Sequence, residues 1–250
     1  MTRETLAGGP AALSRRRLGG LLAAGAAWSL ARSAAKAANT QVGALMFTQT
    51  EIPFTIAQLG EPLKAGAKMT EQVLNRSKVP EVKAYRDFLD ATKRKALPPE
   101  GDLDAVETWV NGHVRTVSDY ELYMRDDVWA PPINTLTLGG DCEDISLVKR
   151  WGLVRLGFAP KDLFLVVGLS TLQRPPAPHA VLGVRLNPTT YRTLDSLESR
   201  VTDAADTSHF QPAYAVNEFG FWKVDQPGRD DGDHVRRAFE RANAKQAGKS

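Results

Sequence analysis

The chain has 250 residues, 42% hydrophobic and 24% charged, with a formal net charge of +3. That is ordinary for a soluble globular protein and long enough for one domain with a full core. The positive excess sits at one end: residues 1–37 carry Arg3, Arg15, Arg16, Arg17, Arg32 and Lys36 against Glu4, and the remaining 26 basic and 28 acidic residues remove the electrostatic case for a nucleic-acid partner.

Residues 1–37 read as an export signal. Ser14-Arg15-Arg16-Arg17-Leu18 is a twin-arginine pattern heading an apolar, Ala/Gly/Leu-rich stretch over 18–31, and Ala35-Lys36-Ala37 fits a small-x-small cleavage site. The stretch is short and glycine-rich, which argues against stable membrane insertion. The reading predicts a periplasmic protein that starts at Ala38, with a domain over 38–225 and a charged tail over 226–250.

Residues 40–66 begin with an apolar run over 42–47, expected as an edge strand or extended arm, and continue as a polar loop. Residues 68–96 predict one or two helices, with Val82, Tyr85, Phe88 and Leu89 at helical spacing and Lys93, Arg94 and Lys95 on a solvated face. Pro98-Pro99 ends this block, and Asp102 is expected to cap a helix running to about Thr116. Leu103, Val106, Trp109, Val110 and Val114 form its apolar stripe, and His113 lies beside it as a surface or core-edge histidine. Residues 120–138 read as irregular, centred on Trp129-Ala130-Pro131-Pro132. A helix is expected from Cys142 to Leu156, mostly buried and stopped at Gly157. The period then changes. Strands are predicted over 163–167, 180–186 and 191–194, with a proline-rich loop over 173–178, a turn at Asn187-Pro188, a polar loop over 196–213, and a last strand carrying Phe219, Phe221 and Trp222. Helices first and antiparallel strands afterwards point to a single α+β domain.

Gly139-Gly140-Asp141-Cys142-Glu143-Asp144 contains the sole cysteine of the chain. Two glycines followed by an apolar run predict a tight turn feeding a helix, with the thiol at the first helical turn. Unpaired N–H groups and the helix dipole favour a thiolate there. A lone thiol in an exported protein cannot make an internal disulfide, and Cys142 is flanked by acids rather than apolar residues. His179 opens one predicted strand and Asp195 closes the next. For a hairpin centred on Asn187 the two residues stand opposite each other on one face, where a carboxylate can orient an imidazole. Cys142, His179 and Asp195 thus supply a nucleophile, a base and an orienting carboxylate.

Gly140-Asp141-Cys142-Glu143-Asp144, Ala177-Pro178-His179-Ala180-Val181-Leu182 and Leu194-Asp195-Ser196-Leu197 together resemble the bacterial transglutaminase-like cysteine proteinases, the LapG-like periplasmic proteases that release biofilm adhesins. Asp127-Val128-Trp129-Ala130-Pro131 and Phe219-Gly220-Phe221-Trp222 extend the resemblance over roughly residues 75–223. It implies a papain-like, transglutaminase-like fold with Cys142 as nucleophile, His179 as general base, Asp195 as orienter and the Cys142 N–H in the oxyanion hole, with Trp129 nearby. It also implies calcium bound through Asp141, Glu143 and Asp144, hard oxygen donors of the kind Ca²⁺ takes. Two or three of these acids can reach one ion, and spacing does not choose among them. Without a cation they would raise the cysteine pKa. The resemblance further implies a surface adhesin as substrate and an inner-membrane cyclic di-GMP receptor that sequesters the protease. Two other readings fit the same residues: a transglutaminase-like acyltransferase or amidase acting on a peptide, and a catalytically silent, calcium-responsive binding protein.

Overall fold

A computed structural model describes strands β1 (Asn39–Val42) and β2 (Leu45–Gln49), then residues 75–225 apart from 126 and 207. The described residues belong to one compact unit, Lys36–Ser250. The expected leader at 1–37, the polar loop over 50–66 and the tail from 226 lie outside the described residues. Among those described, no helix is long and apolar enough to cross a membrane.

Helix α1 spans Pro80–Lys95, with proline at its first turn, where a missing N–H costs nothing. Val82, Tyr85 and Leu89 are fully buried, and Lys93, Arg94 and Lys95 sit exposed in the last turn, where cations complement the dipole. Helix α2 spans Pro99–His113 with Pro98 as its N-cap. The expected Asp102 cap is therefore wrong: Pro98-Pro99 both separates the two helices and opens the second, because its fixed φ suits a helix entry. His113 lies exposed, its ring stacked 4.3 Å from that of Trp109. The expected irregular stretch over 120–138 holds two short helices, α3 (Asp119–Tyr123) and α4 (Pro132–Leu138). Ser118 Oγ accepts the Glu121 N–H at 3.3 Å to cap α3, and Pro132 opens α4. Helix α5 spans Cys142–Leu156 and ends at Gly157, φ 116°.

Six further strands follow: β3 (Leu163–Ser170), β4 (Ala177–Asn187), β5 (Thr190–Leu194), β6 (Thr202–Asp203), β7 (Phe210–Asn217) and β8 (Gly220–Asp225). All pairings are antiparallel, in the order β1-β2-β8-β7-β3-β4-β5-β6. The fold is thus α+β: the helices lie in the chain between β1-β2 and the six later strands of one antiparallel sheet, with Cys142 at a helix N-terminus. The polar loop expected over 196–213 is interrupted by β6 and the start of β7. Pro212 obscures β7 in the sequence, and the ladder tolerates it because it sits beside a bulge opposite Gly168.

The main core lies between the helices and one sheet face. Leu163, Leu182, Val184 and Leu194 meet Val82, Leu89, Leu103, Val106, Val110, Val148 and Leu153, all fully buried. Each such side chain contributes about 1.5–3 kcal/mol by leaving water. Helix α5 packs against α1, α2 and α4 and on β3 and β4, so it holds the core and the site at once. Tyr85 stacks on Trp109 with ring centroids 4.6 Å apart and donates its Oη–H to Val148 O at 3.0 Å. A Cβ on Gly152 would lie 2.0 Å from that Oη. Gly152→Ala is expected to destabilise the fold by about 1–3 kcal/mol, read as a lower urea midpoint at unchanged m value. Tyr85→Phe in the same chain should recover part of the loss, because the two changes share one contact.

Candidate active site

The turn that presents Cys142 is held from outside. Gly140 N–H donates to Arg115 O at 3.1 Å and Gly140 O accepts from Val117 N–H at 2.9 Å, so the segment after α2 clamps it. Gly139 has φ 89°, and a Cβ there would lie 2.5 Å from Arg115 O. A Cβ on Gly140 would lie 2.5 Å from Asp144 Oδ2. Both positions therefore require glycine, one for its backbone angle and one for space. Asp141 is the N-cap residue of α5, yet its side chain makes no capping bond.

Cys142 is half-buried and packs, with Trp129, against Leu165, Ala180 and Val216. Strand β4 outruns β5: the shared ladder begins at Leu182 and Leu194. The Ala180 N–H, beyond that edge, donates to Cys142 Sγ at 3.3 Å. The sulfur thus lies against the residue next to His179. The thiol itself donates to Glu143 Oε2 at 3.0 Å. Burial, then the Glu143 and Asp141 charges, push the Cys142 pKa well above its ordinary value. With the carboxylates uncompensated, the thiol is the stable form, against the helix dipole.

His179 and Asp195 are both buried, with Nε2 2.6 Å from Oδ1. The pairing frame differs from the one expected. Gly183 faces Thr193 and Val184 faces Arg192, a shift of two residues from a hairpin centred on Asn187. The turn instead closes between Asn187 and Thr190, with Asn187 Oδ1 accepting the Thr189 N–H at 3.0 Å. Because side chains alternate with period two, this shift keeps positions 179 and 195 on a common face. Strand β5 ends at Leu194, so Asp195 leaves the ladder and its carboxylate meets the imidazole diagonally. Asp195 Oδ1 also accepts the Leu197 N–H at 2.9 Å. With Nε2–H directed at a carboxylate, Nδ1 is the nitrogen left to exchange a proton. From β7, Phe210 packs edge-on to the His179 ring, centroids 6.1 Å apart.

The acidic group is larger than the three residues expected. Asp141 and Asp144 bring donor oxygens within 4.8 Å of one from Asp119, and Glu143 does the same with Asp119 and Asp127. Asp119 precedes these acids by a whole helix and loop, and Asp127 lies in the segment before Trp129, so no local spacing announces either. One oxygen of Asp119 accepts the Val128 N–H, and one of Asp144 accepts the Ala130 N–H at 2.7 Å. The other oxygens of these two residues, and Oδ1 of Asp141, are buried with no hydrogen-bond partner. Burial raises Asp141 to about 9 and Asp144 to about 8, with neighbouring carboxylates adding to both. Burial likewise raises Asp119 and Glu143. Orphaned, buried, mutually repelling oxygens fit a hard divalent cation of the calcium type.

The family described as bacterial transglutaminase-like cysteine proteinase BTLCP matches residues 87–224. No curated protein matches the chain. Among solved structures, calcium-bound LapG of Legionella pneumophila aligns with a TM-score of 0.52 and 25% identity, over 63% of this chain and 87% of that one. The EGTA-treated form gives 0.52 and 23%, over 69% and 94%. A third LapG structure from the same organism gives 0.51 and 23%, over 70% and 96%.

Proposed function

The chain belongs to the bacterial transglutaminase-like cysteine proteinases, and from that premise we propose that it is a calcium-dependent endopeptidase in which Cys142, His179 and Asp195 carry out the reaction. The observation that carries this reading is the 2.6 Å contact of His179 Nε2 with Asp195 Oδ1, one residue from the amide that touches Cys142 Sγ. His179 Nδ1 takes the thiol proton, and the sulfur attacks the peptide carbonyl. The Cys142 N–H, at the open end of α5, faces the developing oxyanion. The imidazolium then protonates the leaving amine, and water, deprotonated by the same imidazole, releases the acyl group from sulfur.

Asp119, Asp127, Asp141, Glu143 and Asp144 are the residues that would hold calcium. A bound ion there supplies the positive charge that offsets the carboxylates around the thiol. Glu143 belongs both to the acidic group and to the thiol contact, so the two functions meet in one side chain. One similar Legionella structure is calcium-bound and another EGTA-treated, which supports the reading. The leader over 1–37 supports export to the periplasm, where the substrate is the membrane-proximal part of a large surface adhesin. An inner-membrane cyclic di-GMP receptor would withhold the enzyme from it.

Iodoacetamide labelling of Cys142 tests the site without a known substrate. Near neutral pH it should be rapid in calcium and at least about tenfold slower in EGTA, the equivalent of one unit in apparent thiol pKa. An ordinary thiol profile, indifferent to calcium and to His179→Ala, would sink both the triad and the metal role.

A further inference from the structure

Helix α2 carries two polar residues on its apolar stripe. Glu107 is fully buried between Leu103 and Val110, and Asn111 follows one turn later. Both are directed at the turn after β5. Glu107 Oε1 accepts the Asp195 backbone N–H at 3.0 Å, and Asn111 Nδ2 donates to Asp195 O at 3.1 Å and to Glu198 O at 3.0 Å. Asn111 Nδ2 also donates to Glu107 Oε1 at 3.1 Å. From α5, the fully buried Lys149 places Nζ 2.7 Å from Glu107 Oε2. One i,i+4 pair therefore grips both the N–H and the C=O of Asp195, and the Lys149 ammonium lies against the gripping carboxylate.

Stability alone does not call for this arrangement. An apolar pair of similar volume commonly stabilises a core as well as a buried ion pair does. Burial drives Glu107 up and Lys149 down, each against the pull of the other. The pair is neutral as a unit, so it holds the Asp195 backbone without adding net charge beside it. The charged groups facing Asp195 are His179 from β4, Glu107 from α2 and Lys149 from α5.

We infer that Glu107, Asn111 and Lys149 are positioning residues that fix Asp195, and through it set the orientation of the His179 imidazole. The inference rests on the proposed triad and adds to it three residues that touch neither the thiol nor the imidazole.

The test is the downfield proton NMR resonance of the His179 Nε2–H bonded to Asp195, identified as the one lost in both His179→Ala and Asp195→Ala. It is recorded in excess calcium for the wild type, for Glu107→Leu/Lys149→Met and for Asn111→Ala. Neutralising both charges together avoids stranding one of them. Each variant should lose this resonance while its amide spectrum stays that of a folded chain. A merely structural role would lower the melting temperature and leave the resonance in place. If the double variant does not fold, Asn111→Ala decides alone. A wild type with the resonance and folded variants that keep it at the wild-type position would overturn this inference and leave the triad standing. A wild type with no resonance that depends on both His179 and Asp195 would overturn the triad contact, and this inference with it.

Discussion

His179→Ala should reduce peptide-bond cleavage by about 10,000-fold or more, the loss typical when one member of a nucleophile–base unit is removed. The geometry explains why so much depends on one side chain. In the described arrangement the thiol is turned to Glu143, and burial with two neighbouring carboxylates keeps it protonated. The Ala180 N–H is the favourable contact to sulfur that works the other way. A single neutral donor does not offset that combination, so a cationic imidazole is needed to hold the thiolate. Asp195→Ala should cost less than His179→Ala, because the imidazole would remain, packed by Phe210. Cleavage of an adhesin-derived peptide, followed by mass spectrometry in excess calcium, measures both. Turnover in His179→Ala within about tenfold of wild type would remove the histidine from the reaction. Added primary amine in the same assay separates hydrolysis from acyl transfer, since an efficient transferase would incorporate it.

Residues with a periodic or local signature were readable in the sequence. Val82, Tyr85 and Leu89 mark α1, Leu103 to Val110 mark α2, and the glycine pair before Cys142 marks the entry to α5. The hairpin frame was misplaced by two residues without moving His179 to the wrong face, because a strand forgives even shifts and punishes odd ones. Two short helices were missed although their signals were present: Ser118 lies three residues before Glu121, and Pro132 occupies a first-turn position. Asp119 and Asp127 are another matter. Each is an ordinary surface acid by composition, and only the path of the chain through α3 and past Trp129 brings them to Asp141, Asp144 and Glu143. Glu107 and Lys149 were equally silent, since a lone acid or base on an amphipathic helix usually faces water. Their meaning comes from burial, and burial is a property of the assembled fold.

In EGTA the protein should become less stable as pH rises, and in excess calcium the slope should reverse. Asp141 is raised from an ordinary 3.8 to about 9 and Asp144 from 3.8 to about 8, burial being the first cause in both. Between the unfolded and folded values, each group binds more protons folded than unfolded. Metal-free stability is therefore fully present below about pH 4 for these groups and declines toward pH 8–9, by at most about 1.4 kcal/mol per unit for each. Acid loss of other interactions sets the lower end, so the fall should be clearest between about pH 5 and 8. Calcium held by the ionised carboxylates would compete with protons, so its stabilisation would grow with pH as its affinity does. Thermal melts at constant ionic strength check this: a higher midpoint at pH 5 than at pH 8 in EGTA, and the opposite order in calcium. Asp144→Asn should flatten the EGTA profile and weaken the calcium response together, because one buried oxygen pair underlies both. Parallel profiles in EGTA and calcium would mean that these carboxylates do not share an ion. The acidic group would then be a cost to the fold that the cation does not relieve, and the coupling between calcium and the thiol would fall with it.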